Sequence, residues 1–315
     1  MVNIYKIDYE EIKKNILSLN KTDYLVIKSN AYGFGFKNVL DVAYKCGMRK
    51  FCVLKLKDAI YIKNKYPNVL VLMLGPFDCN KVNTYRKYDL IVTITKDCDF
   101  NIIGNSNISY QIEINSGMNR FGLNEINISD FINDINFIGI YSHNATNYIE
   151  HINEQLQYFF DRVKYINNKD IHFASTSTKD LSIPFTSARR IGCDIYKNSL
   201  KVYAKIIHIN YCLKDSFIGY DYSYKLDKDS YIGVIDIGYA DGLERNCDGF
   251  LVYIKNAFFP LLGKACMNHA FVLLDDETYM NHEVIIIGKE NKLNNYVNYF
   301  KKIPHEVYLS FLKRY

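Results

Sequence analysis

The sequence predicts an α/β fold in two parts: an N-terminal (β/α)8 barrel over residues 1–200 and a C-terminal, mainly antiparallel β domain over residues 201–315. Three observations carry this. Short apolar segments, most followed by a polar helical stretch, recur eight times at a spacing of about 25 residues, as a barrel requires. Beyond about Leu200 the helical pattern fades, and β-rich segments joined by short turns replace it. An apolar content of 49% over 315 residues is enough for a sizeable core, while no segment approaches the apolar length of a membrane span.

In order, Ile4–Asp8 and Tyr9–Leu19 read as an extra strand and helix ahead of the barrel. The eight barrel strands are Tyr24–Ile27, Lys50–Leu54, Val69–Leu74, Leu90–Thr95, Ser109–Ile114, Phe137–Ser142, Ile171–Ala174 and Arg190–Tyr196. Amphipathic helices are expected between them, for example over Asn38–Cys46, Lys57–Lys65 and Glu154–Ile166. The second domain should be built from Lys201–Ile209, Tyr231–Ile237, Phe250–Ile254, Leu261–Lys264, His269–Leu274 and Glu283–Ile287. No Pro/Gly-rich linker separates the two parts, and there are no internal repeats.

Composition narrows the function. The net charge of +5 is dispersed over lysines interleaved with acidic residues, with no basic cluster of the kind nucleic acid needs. Eight scattered cysteines form no CxxC pair, and seven histidines form no HExxH or HxxH pair, which speaks against a disulfide scaffold and a metal centre. The first fifteen residues lack a basic region followed by an apolar core, so the expectation is a cytoplasmic protein without a secretion signal. The 28 tyrosines, together with abundant Lys, Asn and Ile and no Trp, reflect codon bias.

A barrel gathers its chemistry where strands end. The first strand delivers Lys28 at its C-terminal end, followed by a Tyr-Gly-x-Gly turn from Tyr32 to Gly35. A lysine is costly to bury unless paired or neutralised, and holding its amine as a Schiff base is one way out; a side chain that snorkels out of the sheet end is the other. The remaining strand ends bring Glu113 and Arg120, His143, the hydroxyl-rich run Ala174–Thr178, and Arg190 with Gly192 and Cys193. The hydroxyls and glycine fall where barrels place a phosphate. A lysine beside a phosphate-binding rim makes pyridoxal phosphate one reading of an anionic small-molecule site.

The residues then match one family in order. Lys28-Ser29-Asn30-Ala31-Tyr32-Gly33-Phe34-Gly35 closely resembles the cofactor-lysine motif of alanine racemases, which are pyridoxal-phosphate enzymes of fold type III. Residues 115–122 (NSGMNRFG), 141–143 (YSH), 172–176 (HFAST) and 190–196 (RIGCDIY) continue the resemblance. So do Gly219-Tyr220, the GYADG segment 238–242, and residues 263–268 (GKACMN). The lysine motif alone fits other pyridoxal-phosphate barrels; the GYADG segment is what points to racemases.

The resemblance implies that Lys28 carries the cofactor and acts as one base, with Tyr220 of a partner subunit as the second, in a homodimer with shared sites. Inversion at a stereocentre needs a proton taken from one face and returned to the other, which favours two opposed bases. A phenol titrates near ~10, so Tyr220 would need help to act as a base, which nearby His143 and the cationic Arg190 and Arg120 would give by favouring the phenolate. Arg190 would donate to the pyridine nitrogen and leave it neutral, limiting transamination. Tyr32, Thr176, Gly192, Cys193 and His305 would surround the phosphate. Arg120 would contact the cofactor's phenolic oxygen or the substrate carboxylate, and Met267 that carboxylate from the other subunit. The implied reaction is interconversion of L- and D-alanine, supplying peptidoglycan, with no nucleic-acid or membrane partner.

Four positions depart from the family. Glu113 stands where many members have a carbamylated lysine, so Glu113 is expected to supply negative charge to Arg120, seven residues on, without carbon dioxide. Asn115 and Asn268 stand where Asp is usual, and His305 where a tyrosine is. These departures bear on substrate preference and efficiency. Three competitors remain: a serine or broad-specificity racemase, a non-catalytic pyridoxal-phosphate-binding protein, and a decarboxylase of the same architecture. The second domain with Tyr220 argues against the last two.

Overall fold

The computed structural model describes residues 4–127, 130–173, 178, 181 and 183–312. The chain divides into two compact units, one of residues 15–31 and 36–195, the other of residues 1–14, 32–35 and 196–315.

Among the described residues the first unit holds eight strands: β2 (Tyr24–Val26), β3 (Lys50–Val53), β4 (Leu70–Pro76), β5 (Ile91–Ile94), β6 (Tyr110–Ile114), β7 (Phe137–Ser142), β8 (Asp170–His172) and β9 (Arg190–Ile191). They form one sheet in the order β8-β7-β6-β5-β4-β3-β2-β9, and every described pair is parallel. Because β9 lies beside β2, the last strand returns to the first and the ring is nearly closed, as the (β/α)8 expectation requires. All residues of β5 and β6 are buried, as expected for strands covered on both faces. Helix Phe36–Lys45 turns Phe36, Val39, Leu40 and Ala43 inward at helical spacing.

The second unit carries β1 (Tyr5–Ile7), β10 (Leu200–Cys212), β11 (Phe217–Ile218), β12 (Tyr224–Lys225), β13 (Ser230–Ile235), β14 (Leu251–Ile254), β15 (Ala257–Leu262), β16 (Ala270–Leu274) and β17 (Glu283–Ile287). Seven form an antiparallel sheet, β1-β10-β13-β16-β15-β14-β17, and β17 returns to pair with β10. β11 and β12 make a separate two-stranded ribbon.

Several element expectations need correction. Arg190–Tyr196 was expected to be one strand, but only Arg190–Ile191 is extended; residues 193–196 form a 3₁₀ turn after Gly192. A short apolar run bounded by Gly does not by itself distinguish strand from turn. The helix expected over Glu154–Ile166 is Ile149–Val163, displaced because Ile149 is a solvent-exposed apolar residue in its first turn. The strand expected at Leu261–Lys264 runs over Ala257–Leu262. Helices Leu293–Tyr299 and Pro304–Leu312, where a β-rich texture was expected, close the second unit. The opening strand, expected ahead of the barrel, pairs antiparallel with β10.

Candidate active site

Lys28 follows β2 and is half-buried. Ser29, Asn30, Ala31 and Tyr32 then all adopt left-handed backbone, with φ between 54° and 56°. This conformation costs non-glycine residues roughly 1–2 kcal/mol each and is normally visited singly. A run of four is strain of the kind that collects at functional sites. Within the turn, Asn30 Oδ1 accepts from the Phe36 N–H at 2.8 Å. Burial and the neighbouring Arg120 charge pull the Lys28 ammonium below its usual pKa, favouring the neutral, nucleophilic amine.

Arg190 enters from β9 and is 4% exposed. Its Nη1 donates to His172 Nδ1 at 2.6 Å and to the His172 carbonyl at 3.1 Å, and its Nη2 donates to the Ser142 carbonyl at 2.5 Å. The guanidinium lies 4.4 Å from the centre of the Tyr141 ring. Contacts among the described residues thus use three of its five N–H groups. Burial pulls Arg190 below the ordinary guanidine range, an effect that neighbouring Tyr141, Cys52 and Glu113 oppose.

Glu113 is buried, and one of its oxygens accepts from the Tyr141 hydroxyl at 3.2 Å. Burial raises its carboxyl, while Arg190 and Arg120 pull the other way. Arg120 is exposed, and no ion pair joins it to Glu113 among the described residues; the direct partner of Glu113 is Tyr141, and Arg120 acts on it through space. Half-buried His143 follows β7, and burial plus the charges of Arg190, Arg120 and Lys28 push its pKa down to about 3. Lys28, Arg120, Arg190, Glu113 and His143 therefore share one electrostatic neighbourhood. Cys193 is buried and its thiol is pushed up to about 12 by that burial, so it is a neutral neighbour of Gly192. Thr176 lies outside the described residues.

The other predicted residues belong to the second unit. The Tyr32 ring lies 5.3 Å from His305, which opens helix Pro304–Leu312, and 5.4 Å from Tyr196. Tyr220 stands in a tight turn behind Gly219 and is 64% exposed, and Met267 is 56% exposed. The GYADG turn is pressed against the Met267 loop: the Ala240 N–H donates to the Met267 carbonyl at 2.9 Å. A Cβ on Gly238 would come within 2.3 Å of that same carbonyl oxygen, so only glycine fits. The Tyr220 turn is held from the same strand end, with the Lys264 N–H donating to Ser223 Oγ at 3.1 Å.

His172, Tyr141 and Ser142 were not singled out from sequence as partners of Arg190. The available signal was polar residues at alternate positions of strands that ought to be apolar, such as Asp170 and His172 in β8.

A lysine at the mouth of the first strand of a parallel barrel, followed by an antiparallel β unit, is the architecture of fold-type III pyridoxal-phosphate enzymes. Two family models cover nearly all of the chain: "Alanine racemase, N-terminal domain" matches residues 7–199, and "Alanine racemase, C-terminal domain" matches residues 199–315. The chain belongs to the alanine racemase family. Among curated relatives, an alanine racemase of Fusobacterium nucleatum is 29% identical over 304 residues, 86% of each chain. One of Listeria monocytogenes is 26% identical over 313 residues, 86% of this chain and 84% of its own. The crystal structure of alanine racemase from Bartonella henselae with covalently bound pyridoxal phosphate superposes with a TM-score of 0.86 at 24% identity, over 99% of this chain and 98% of that one. That of alanine racemase from E. faecalis gives 0.85 at 23% identity, over 98% and 95%.

The donor set fits the family's cofactor. Two cationic side chains, Arg120 and Arg190, act on one buried carboxylate whose own charge is disfavoured, and this surplus suits a phosphate and a carboxylate. The depressed amine of Lys28 suits covalent attachment to an aldehyde. Among the described residues no cluster of His, Cys, Asp and Glu is close enough to hold a metal ion.

Two predictions arise here. His143 titrates near 3 in the fold and the buried His172 well below its ordinary value, whereas both take up protons near ~6.5 when unfolded. Below about pH 6.5 the unfolded chain binds protons that the fold does not, so stability falls on acidification by up to ~1.4 kcal/mol per pH unit for each histidine. Urea midpoints between pH 7.5 and 5 should show this slope, and His143→Gln should flatten it; an unchanged slope in the variant contradicts the assignment.

Glu113 has the opposite sign. Its raised carboxyl stabilises the fold most at low pH, and this contribution is lost as pH rises from the unfolded value through the folded one. Glu113→Gln should therefore melt no lower than the parent at pH 7.5. Its activity should fall on the order of tenfold, because two arginines lose a countercharge worth about 1–2 kcal/mol. Unchanged activity would remove Glu113 from the site.

Proposed function

We propose that the protein is a pyridoxal-phosphate-dependent alanine racemase that interconverts L- and D-alanine with two bases, works in the cytoplasm as a homodimer with shared sites, and feeds peptidoglycan synthesis. The observation that carries this reading is Arg190, a buried guanidinium fixed by His172 and Ser142, whose charge acts together with that of Lys28 on His143 and Cys52. A permanently charged donor offered to the cofactor's ring nitrogen keeps that nitrogen unprotonated, which favours returning a proton to Cα over transamination.

Bound there, pyridoxal phosphate supplies the electron sink that makes the substrate's Cα proton removable. Lys28 Nζ carries the cofactor between turnovers and, once released as a neutral amine, takes or returns that proton on one face. Its lowered pKa favours the neutral amine over the ammonium. Tyr220 Oη of the partner copy holds the proton on the other face. His143 stays neutral and adds no competing charge. Glu113, through Tyr141 Oη, offsets the two arginines. Arg120 and Met267 orient the substrate carboxylate or cofactor oxygen, while Tyr32, Thr176, Gly192, Cys193 and His305 hold the phosphate.

The decisive assay is a panel of L-amino acids followed by loss of optical rotation in deuterated water. Alanine should racemise fastest, with deuterium at Cα of both enantiomers. Faster loss with serine would redirect the assignment to a serine racemase, and carbon dioxide release would make it a decarboxylase. Cofactor binding with no exchange for any amino acid would leave a non-catalytic binding protein.

A further inference from the structure

The interior of the barrel departs from the branched apolar layers usual in this architecture. The His172 ring is fully buried between Tyr24 (centres 5.0 Å apart, planes at 16°) and Tyr141 (5.1 Å, 25°). Arg190 has no lone pair to offer, so its 2.6 Å contact makes His172 Nδ1 an acceptor and places the imidazole proton on Nε2. That Nε2–H donates to Gln111 Oε1 at 2.7 Å, which fixes the orientation of the amide. Gln111 Nε2 then donates to the Tyr24 hydroxyl at 2.9 Å, and that hydroxyl donates to Asp170 Oδ2 at 2.5 Å. Lys50 Nζ reaches the same carboxylate oxygen at 2.7 Å.

Four successive hydrogen bonds thus run in one sense, from a guanidinium at one end to a carboxylate at the other. Gln111 and His172 are wholly buried, whereas the Asp170 side chain is 24% exposed and that of Lys50 20%. The neighbouring strand makes room for the chain. A Cβ on Gly139 of β7 would lie 3.1 Å from Gln111 Nε2, 3.0 Å from Asp170 Cβ and 2.6 Å from the Asp170 carbonyl oxygen. Gly139 is not in the left-handed region, so space, and not backbone freedom, is what its missing side chain provides.

We propose that Gln111, Tyr24 and Asp170 are positioning residues that act through His172 to set the orientation and donor strength of Arg190. Aligned hydrogen bonds polarise one another, so the Asp170 charge enriches His172 Nδ1 as an acceptor and draws guanidinium charge toward it. What Arg190 presents at the barrel mouth is correspondingly weaker and fixed in direction. The effect on the reaction rests on the reading above that Arg190 meets the cofactor's ring nitrogen.

The test uses the holoenzyme with 15N-histidine and with cofactor labelled at the ring nitrogen, and the cofactor-free protein in parallel. Tyr24→Phe keeps the ring stack but interrupts the chain between Gln111 and Asp170. It should move His172 Nδ1 toward a weaker hydrogen bond with and without cofactor, shift the ring-nitrogen resonance toward stronger hydrogen bonding, and lower kcat by about 3–10-fold with KM nearly unchanged. Asp170→Asn, at the partly exposed end, should shift both resonances in the same direction by less, and it carries the test if Tyr24→Phe does not fold. A lowered melting temperature with both nitrogen resonances at their parent positions would mean a purely structural network and overturns the proposal. If the ring nitrogen ignores even Arg190→Gln, the assignment of Arg190 to that nitrogen is what fails, and the His172 resonance still decides whether the chain polarises its acceptor.

Discussion

Lys28→Ala is expected to lose at least about a thousandfold in racemisation, because it removes both the cofactor's attachment point and one of two bases. The fold should survive: Lys28 is only half-buried and its ammonium is disfavoured where it stands, so its removal relieves an electrostatic cost. Far-UV circular dichroism and melting should match the parent. Borohydride should no longer fix the cofactor to the protein, whereas it does so in the parent. Added small amines should restore part of the rate in proportion to their basicity. Activity above a tenth of the parent's would show that the attachment point is elsewhere.

Tyr220→Phe should cost at least about a hundredfold while leaving the borohydride-fixable cofactor in place, since it removes only a proton acceptor. The deuterium pattern separates this from general damage: exchange at Cα should persist from the enantiomer served by Lys28 and collapse from the other. Mixing Tyr220→Phe with Lys28→Ala subunits should regain about a quarter of parental activity. Random pairing makes half the dimers mixed, and each mixed dimer has one intact site of two. Subunit exchange without recovery would place both bases on one chain. The 64% exposure of Tyr220 and 56% exposure of Met267 fit side chains that complete their surroundings on another copy.

Strand count and direction were legible because parallel strands buried on both faces appear as short apolar runs, and β5 is buried throughout. Boundaries were less so where one apolar residue has two possible uses. Ile149 sits exposed inside a helix, and Ile195 sits in a turn and not in the strand that Ile191 ends. Lys28 and Arg190 could be found from motif and position at a strand end. The polar column beneath Arg190 was harder to see, because its members come from four strands and none has a partner nearby in sequence. Gln111 and Glu113 in β6 carried a usable sign, as did Asp170 and His172 in β8: two polar side chains at alternate positions share a face, and for β6 that face looks inward. The Glu113 partner was also out of reach, since sequence spacing gives Arg120 and only folding brings up Tyr141 from β7.

The pairing of β1 with β10 matters for how the chain is made. Tyr5 sits opposite Val202, 197 residues on, and Phe34 stacks on Tyr196 at 4.3 Å, 162 residues on, so these residues join elements translated long after them. At about 5–20 residues per second that wait is roughly 10–40 s, during which the leading segment has no strand to dock on. A nascent chain halted before residue 200 should therefore protect its barrel strands from protease while leaving its amino terminus open to cleavage. Cutting the gene at the domain boundary would likewise strand β1 on the wrong fragment, whereas a circular permutant that carries residues 1–14 behind residue 315 would keep that unit's sheet in one piece.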